Sequence, residues 1–328
     1  MTAGGPPLAD LVTPMAVRVA ATLRVADHIT QGLRTAPQLA EAEHVDADAL
    51  ESLLRHLVAA DVLTRNGSGR YALTEQGEWL RGDHPSGLRA RLDIEGALGR
   101  ADLSFVHLLH SVRTGEACFP ALFGREFWDD LASDPVRRAS YDARMGADVS
   151  SWAPAIVAAH DWRSLGHVVD VGGGNGTLLA ALLRAHPTLR GTVFDQPAAA
   201  DGARETLAAA GLSDRSDFVS GSFFDPLPSG AGGYVLSAIL HNWNDQAAGA
   251  ILRRCAEAAG TTGRIFVVEK TGPDGESPRT DMDLRVLAYL GGRERGVAEL
   301  TTLAADAGLQ VAAVHQADDL SIVELAAL

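Results

Sequence analysis

Two periodicities divide the chain. Over its first half, apolar residues recur every three or four positions, the spacing of helices with one buried face. Leu11, Val12, Met15, Val19, Leu23, Ala26 and Ile29 predict one helix over 11–29, with Thr13-Pro14 near its start. A short helix begins at Thr35, and a longer one over 46–60 carries Leu50, Leu53, Leu54, Leu57 and Val58. Val62–Arg65, the turn Asn66-Gly-Ser-Gly and Arg70–Thr74 then read as strand, turn and strand. Helix, helix and hairpin together make a winged-helix pattern. Residues 1–9 are rich in Gly and Pro and are expected to fray, and residues 85–165 read as helices without a glycine-rich loop.

From His167 the pattern changes. Short β-branched runs over 167–171, 191–195, 216–220, 233–239 and 264–269 alternate with helical stretches near 177–186, 198–210 and 245–259. A closing pair of strands is expected at 309–316 and 319–325. Such alternation predicts an α/β fold with a doubly wound parallel sheet, whose ligands bind at the carboxyl ends of the strands. The expected domains are a winged-helix unit over 1–95, a helical linker over 96–160 and the α/β domain over 161–328, divisions that suit a chain of 328 residues.

Charge narrows the role of the winged helix. The chain carries a formal net charge of −14, and residues 31–83 hold five Arg against nine Asp and Glu. A DNA reader needs clustered cations for phosphate contacts, so dimerisation is the better reading of this unit. A homodimer follows as the expectation, its first helix helping to complete the acceptor pocket. Nucleic acid is not an expected partner. Cys118 and Cys255 stand far apart in no ligand-spaced pattern, so neither a disulfide nor a metal site is expected. With no run of 18 apolar residues and no leader-like start, neither membrane span nor secretory signal is expected, and the cytoplasm is the expected compartment.

Candidate chemistry begins where the first strand ends. His167-Val-Val-Asp170-Val-Gly172-Gly-Gly174-Asn-Gly176-Thr177 places glycines between a strand and a helix, where backbone N–H groups and the helix dipole face a ligand. A dinucleotide fingerprint would want glycine at 177, where Thr stands. The D-x-G-x-G-x-G spacing instead resembles the first motif of class I methyltransferases, which bind S-adenosylmethionine. Asp195, near the end of the next strand, is about 20 residues past the glycine turn, where an acidic side chain would hold a ribose diol. Ser222 and Phe223, following the third strand, could border a purine. His241 and Trp243, following the fourth, belong to the same crevice.

Taken in order, D-V-G-G-G-N-G, F-D-Q-P, G-S-F-F-D-P-L-P, L-H-N-W-N-D, V-V-E-K and G-G-R-E-R resemble the plant caffeic-acid-type and bacterial small-molecule O-methyltransferases over nearly the whole chain. Within that family, T-P-M-A-V-R-V-A-A-T-L-R-V-A-D-H-I is similar to bacterial naphthoate O-methyltransferases of enediyne and azinomycin-type pathways. The resemblance implies a class I methyltransferase Rossmann-like domain behind the winged-helix dimerisation domain. It also implies that His241 is the general base, that Glu269 and Glu294 orient it, and that Trp243 packs near the adenine. Tyr141 and Met145 match positions near the cofactor and the acceptor ring. Asp170, Gly172, Gly174, Asp195, Gln196, Ser222, Phe223 and Ser237 complete the implied cofactor set. Ser237 stands where the family often has Lys or Arg, and Asn242 replaces a frequent Asp, which changes one contact on the acceptor side.

The implied reaction is methylation of a phenolic hydroxyl on a small aromatic compound, with no metal. A phenol near pKa 10 and a histidine near 6.5 make a neighbouring base useful at neutral pH. Non-methyl-transfer chemistry such as hydroxylation on the same fold, or a winged-helix transcription regulator, are the alternatives. Arg18, in the apolar helix, is costly to bury alone. It recognises an acceptor carboxylate, or else it snorkels to water or pairs with an acid such as Asp10.

Overall fold

The computed structural model describes residues 10–272, 274 and 278–328. The expected fraying of 1–9 lies outside them. Packing divides the chain into two units, one of residues 1–103 and 134–141 and the other of 104–133 and 142–328. The segment 96–160 therefore contributes to both.

The N-terminal unit contains α1 (Val12–Thr22), α2 (Val25–Thr30), α3 (Ala36–Glu43), α4 (Ala47–Ala59) and the hairpin β1 (Leu63–Arg65) with β2 (Tyr71–Leu73). One helix was expected over 11–29. The structure breaks it at Arg24, which turns left-handed at φ 45°. The break lets Ala20 and Ala21 on one side, and Val25, Ala26 and Ile29 on the other, enter one core with Leu39, Leu50, Leu54 and Leu57. Burial of both segments outweighs the local cost of the turn. Asp46 caps α4 by accepting from the Ala49 N–H at 2.8 Å.

The second unit is built on seven strands: β3 (His167–Val171), β4 (Arg190–Asp195), β5 (Ser216–Ser220), β6 (Gly233–Ser237), β7 (Arg264–Glu269), β8 (Leu309–Ala317) and β9 (Leu320–Ala327). Their order is β5-β4-β3-β6-β7-β9-β8, parallel through β7, with β9 antiparallel to both its neighbours. Around the sheet lie α5 (Pro135–Ala159), whose first residues belong to the other unit, α6 (Thr177–Ala185), α7 (Ala200–Ala209), α8 (Asp245–Ala259), α9 (Thr280–Leu290) and α10 (Val297–Asp306). The last two, α9 and α10, lie in a stretch for which the periodicity had predicted no element.

The near-continuous apolar runs of the strands follow from burial on both faces. Val169 and Val171 point to a core with Ile251, Leu252, Leu300 and Leu303, while Val168 points to one with Leu178, Leu182, Leu207 and Trp162. β4 leaves β3 toward one edge and β6 lies on its other side, so the strand order reverses beside β3. The crevice of a doubly wound sheet opens there. The fourth strand, expected to run to 239, stops at Ser237. Ala238 is left-handed at φ 55° and leads into a 3-10 turn over Leu240–Asn242. No helix of the described residues is long and apolar enough to cross a membrane.

Gly232 sets the start of β6. A Cβ there would stand 2.1 Å from the Leu165 carbonyl oxygen, a backbone atom that cannot swing aside. Gly232→Ala is expected to cost about 1–3 kcal/mol. Urea unfolding should show a lower midpoint at unchanged slope, and an unchanged midpoint would refute the close approach.

Candidate active site

The glycine turn after β3 is forced by its neighbours. Gly172, Gly174 and Gly176 all have positive φ, at 74°, 55° and 75°. A Cβ on Gly172 would meet the Ile239 side chain at 2.5 Å, and one on Gly173 would meet the Asp170 carboxylate at 2.6 Å. Asp195, at the end of β4, accepts from the Gly174 N–H at 2.8 Å through Oδ2 and from the Gln196 N–H at 2.6 Å through Oδ1. The acidic side chain thus tethers the loop while remaining half-exposed. Gln196 is exposed and joins through its backbone.

A small cleft opens beside this turn, lined by Val149, Asp170, Gly172, Asn175, Thr177 and Ser237, among others. Two of its polar atoms, Asp170 Oδ2 and Ser237 Oγ, are buried with no hydrogen-bond partner. Burial, reinforced by the nearby charge of Asp195, pushes Asp170 up to about 7. Orphaned buried polar atoms are costly. Facing a cleft, these two fit a ligand end that carries both an ammonium donor and a carboxylate. Asn175, not singled out from sequence, also lines the cleft, and its Oδ1 accepts from the Thr177 hydroxyl at 2.7 Å at the start of α6.

The apolar wall comes from two segments after the strands. Trp243 meets Phe224 edge-on at 4.9 Å between ring centroids and Phe223 at 5.7 Å. Phe223 and Ile239 lie next to Gly172. Ser222 accepts from the Phe224 N–H at 3.3 Å and so shapes the turn that presents both rings.

His241 sits in the 3-10 turn that follows β6. Its Nδ1–H donates to Glu269 Oε2 at 2.6 Å, and its backbone N–H donates to Oε1 of the same carboxylate at 3.3 Å. Glu269 is the last residue of β7 and is buried. Burial alone would lower the His241 pKa, but the charge and hydrogen bond of Glu269, with the charge of Glu294, raise it overall. With Nδ1 committed to Glu269, Nε2 carries the lone pair. Glu294 is held by its own N–H, which donates to Asp283 Oδ1 at 2.8 Å.

Sequence reasoning missed the residue that holds this turn. Arg295 is buried, and its guanidinium donates to the Leu240 carbonyl at 2.8 Å, the Trp243 carbonyl at 2.7 Å and Asp245 Oδ1 at 2.8 and 3.0 Å. Burial lowers its pKa, and Asp245 opposes that. Close approach also needs Gly292, where a Cβ would stand 2.2 Å from the His241 carbonyl oxygen. Both lie in G-G-R-E-R, so the signal was present, but only the glutamate had been assigned a role.

Other expected residues fall elsewhere. Asn242 Nδ2 donates to the Ala238 carbonyl at 3.2 Å and closes the turn on itself. Met145 lies on α5 one turn before the cleft-lining Val149 and is half-buried. Tyr141, one turn earlier still, packs with the N-terminal unit. Arg18 neither snorkels nor pairs with Asp10, which instead accepts from the Val12 and Thr13 N–H groups. Arg18 Nη2 donates to the buried Asp102 at 2.5 Å, while Nη1 is buried without a partner.

Comparison with known proteins agrees with this architecture. Residues 105–310 match the O-methyltransferase domain, and residues 8–83 match the O-methyltransferase dimerisation domain. A 2,7-dihydroxy-5-methyl-1-naphthoate 7-O-methyltransferase of Streptomyces carzinostaticus is 57% identical over 98% of this chain and 96% of its own. An aclacinomycin 10-hydroxylase of Streptomyces purpurascens is 41% identical over 98% of this chain and 89% of its own. Among solved structures, an O-methyltransferase from neocarzinostatin biosynthesis, in complex with S-adenosylmethionine and 2-hydroxy-5-methyl naphthoic acid, superposes with a TM-score of 0.94 at 56% identity, each chain covered in full. The chain therefore belongs to the O-methyltransferase family, as an S-adenosylmethionine-dependent enzyme with the family's dimerisation domain.

Proposed function

We propose that the enzyme methylates a phenolic hydroxyl of a hydroxylated naphthoic acid or a similar small aromatic acid made in antibiotic biosynthesis, working as a cytoplasmic homodimer with His241 as general base. The observation that carries the catalytic part is the His241–Glu269 pair at the carboxyl edge of the sheet, in the turn that follows the cleft-lining Ser237. The acceptor class is supported by the naphthoate 7-O-methyltransferase, 57% identical, and by the naphthoic acid in the structure that superposes so closely. Retention of the base and its carboxylate supports methyl transfer over hydroxylation.

In this reading Asp170 and Ser237 hold the amino-acid end of the cofactor, Asp195 the ribose, and Ser222, Phe223 and Trp243 border the adenine. Gly172, Gly174 and Gln196 supply backbone. When bound, S-adenosylmethionine supplies the electrophilic methyl group. His241 Nε2 takes the phenolic proton, and Glu269 steadies the imidazolium that forms through Nδ1–H. The raised pKa brings the base closer to that of a phenol, which makes proton transfer less uphill. Phe223, Trp243 and Ile239 exclude water from the exchange. Arg295 acts as a positioning residue, fixing the backbone on either side of His241. Met145 and Asn242 are assigned to the acceptor side and Tyr141 to the cofactor side. Arg18 is assigned to the acceptor carboxylate through its unpartnered nitrogen.

The direct test is incubation of the purified protein with S-adenosylmethionine and a panel of hydroxynaphthoic acids and their methyl esters. Mass spectrometry should find a methylated acid and S-adenosylhomocysteine. Arg18→Ala should raise KM for the acid and remove the disadvantage of the ester, since a charge-assisted hydrogen bond from the free guanidinium nitrogen favours a carboxylate over a neutral ester. Equal effects on acid and ester would exclude Arg18 as the anchor.

His241→Ala should lower kcat by roughly 10²–10⁴, with cofactor affinity retained. In the intact enzyme kcat/KM should rise with pH through a titration above the ordinary histidine value, because only neutral His241 accepts the proton. Glu269→Gln removes the charge that raises this pKa, so the acid limb should move to lower pH while kcat falls. A limb that stays in place would show that another group titrates.

Arg295→Lys keeps a cation but cannot reach two carbonyls and Asp245 at once. We expect kcat to fall about tenfold or more with KM nearly unchanged, since small misplacements of a catalytic group are costly. Loss confined to KM would contradict a positioning role.

A further inference from the structure

Away from the cleft, the turn after α5 brings a histidine against the antiparallel edge of the sheet. His160 follows the last residue of α5 and lies 5.1 Å from His315 between ring centroids. His315 is on β8 and Glu324 on β9, on one face of the pair. His315 Nε2 stands 3.0 Å from Glu324 Oε2. One ligand atom from each of the three residues lies within 4.8 Å of the others. His160 Nε2 is buried and has no hydrogen-bond partner.

The surroundings hold these groups in place. Trp162 Nε1–H donates to the Ile156 carbonyl at 3.0 Å, and the Trp162 N–H donates to the His160 carbonyl at 3.1 Å, so the turn is tied to α5. The His160 ring packs on Phe266 at 4.9 Å and against Trp162 at 5.2 Å. Arg264 Nε approaches Oε1 of Glu324 at 3.5 Å, which leaves Oε2 toward the histidines. All three side chains are half-buried.

The geometry points to a divalent transition-metal site, Zn²⁺ being the best fit, made by His160, His315 and Glu324. Two imidazoles and a carboxylate are ligands of borderline hardness, and three protein ligands with an open fourth position describe a common zinc arrangement. Bonds of about 2.0–2.1 Å place tetrahedral ligands about 3.4 Å apart. The His315–Glu324 pair, at 3.0 Å, would open by about 0.4 Å to reach that spacing, and His160 would close in by about 1.4 Å at most. The ion would pin the end of α5 to β8 and β9. It would not serve methyl transfer, because Glu324 pairs with Phe266 near the start of β7, about 10 Å along the strand from Glu269. No metal was expected from sequence, and spacing could not reveal residues so far apart in the chain.

The test uses the untagged full-length protein, stripped with chelator and titrated with Co²⁺ and then Zn²⁺. We expect one Co²⁺ per chain with visible ligand-field absorption, its displacement by Zn²⁺, and a higher Tm with Zn²⁺ than with chelator. Glu324→Gln keeps size and hydrogen bonding, and His160→Gln keeps a polar side chain. Each should weaken Co²⁺ binding by ~10-fold or more, with the chelated Tm and the methyl-transfer rate preserved. Absence of stoichiometric binding in the wild type, or equal binding in the variants, would overturn the site.

Discussion

One carboxylate organises the catalytic edge. Glu269 ends the buried strand β7, and its two oxygens take both the ring N–H and the backbone N–H of His241. The first contact selects the tautomer, and the second fixes where the ring stands. Neither would work if the turn could drift. Arg295 therefore binds the carbonyls on either side of the histidine, and Gly292 lets that loop come against the turn without a side chain between them. The left-handed Ala238 turns the chain sharply after β6 and so completes the geometry.

This arrangement depends on a sheet packed on both faces. Alternate residues of β3 enter different cores, and the glycine turn that follows is squeezed between Ile239 and the Asp170 carboxylate. Packing on both sides leaves the turn little freedom, and hydrogen bonds from the Gly172 N–H to the Phe194 carbonyl and from the Gly174 N–H to Asp195 fix its shape before any ligand arrives. That is what preorganisation means here.

Much of the α/β unit was legible because buried parallel strands have a distinctive composition. Val168, Val169 and Val171 could hardly be anything else. The break at Arg24 was not legible, since both halves of the 11–29 stretch keep helical spacing and only tertiary burial separates them. The helices Thr280–Leu290 and Val297–Asp306 were not legible, each being short and set apart from the other by the glycines and arginines of 291–296. At the site, His241 and Glu269 could be named from motifs, and the structure brings them into contact. Arg295 could not be weighed from sequence, because an arginine in a glycine-rich loop looks like a solvated charge until its carbonyl partners are known. Arg18 shows the reverse: a cation in an apolar helix invited a ligand, and the protein supplies one carboxylate itself through Asp102.

Asp170 has a consequence for how the enzyme senses acidity. Its carboxyl is buried, lacks a partner at Oδ2 and titrates near 7, so before ligand arrives it carries a proton through the mildly acidic range. Under the proposed reading, a cationic amino group entering the cleft favours the ionised form, and occupancy is thermodynamically linked to release of that proton. Falling pH then acts twice and at different stages. It weakens loading through Asp170, and it slows the loaded enzyme through His241. Cells that let their pH drift downward would starve this enzyme of cofactor as well as of base.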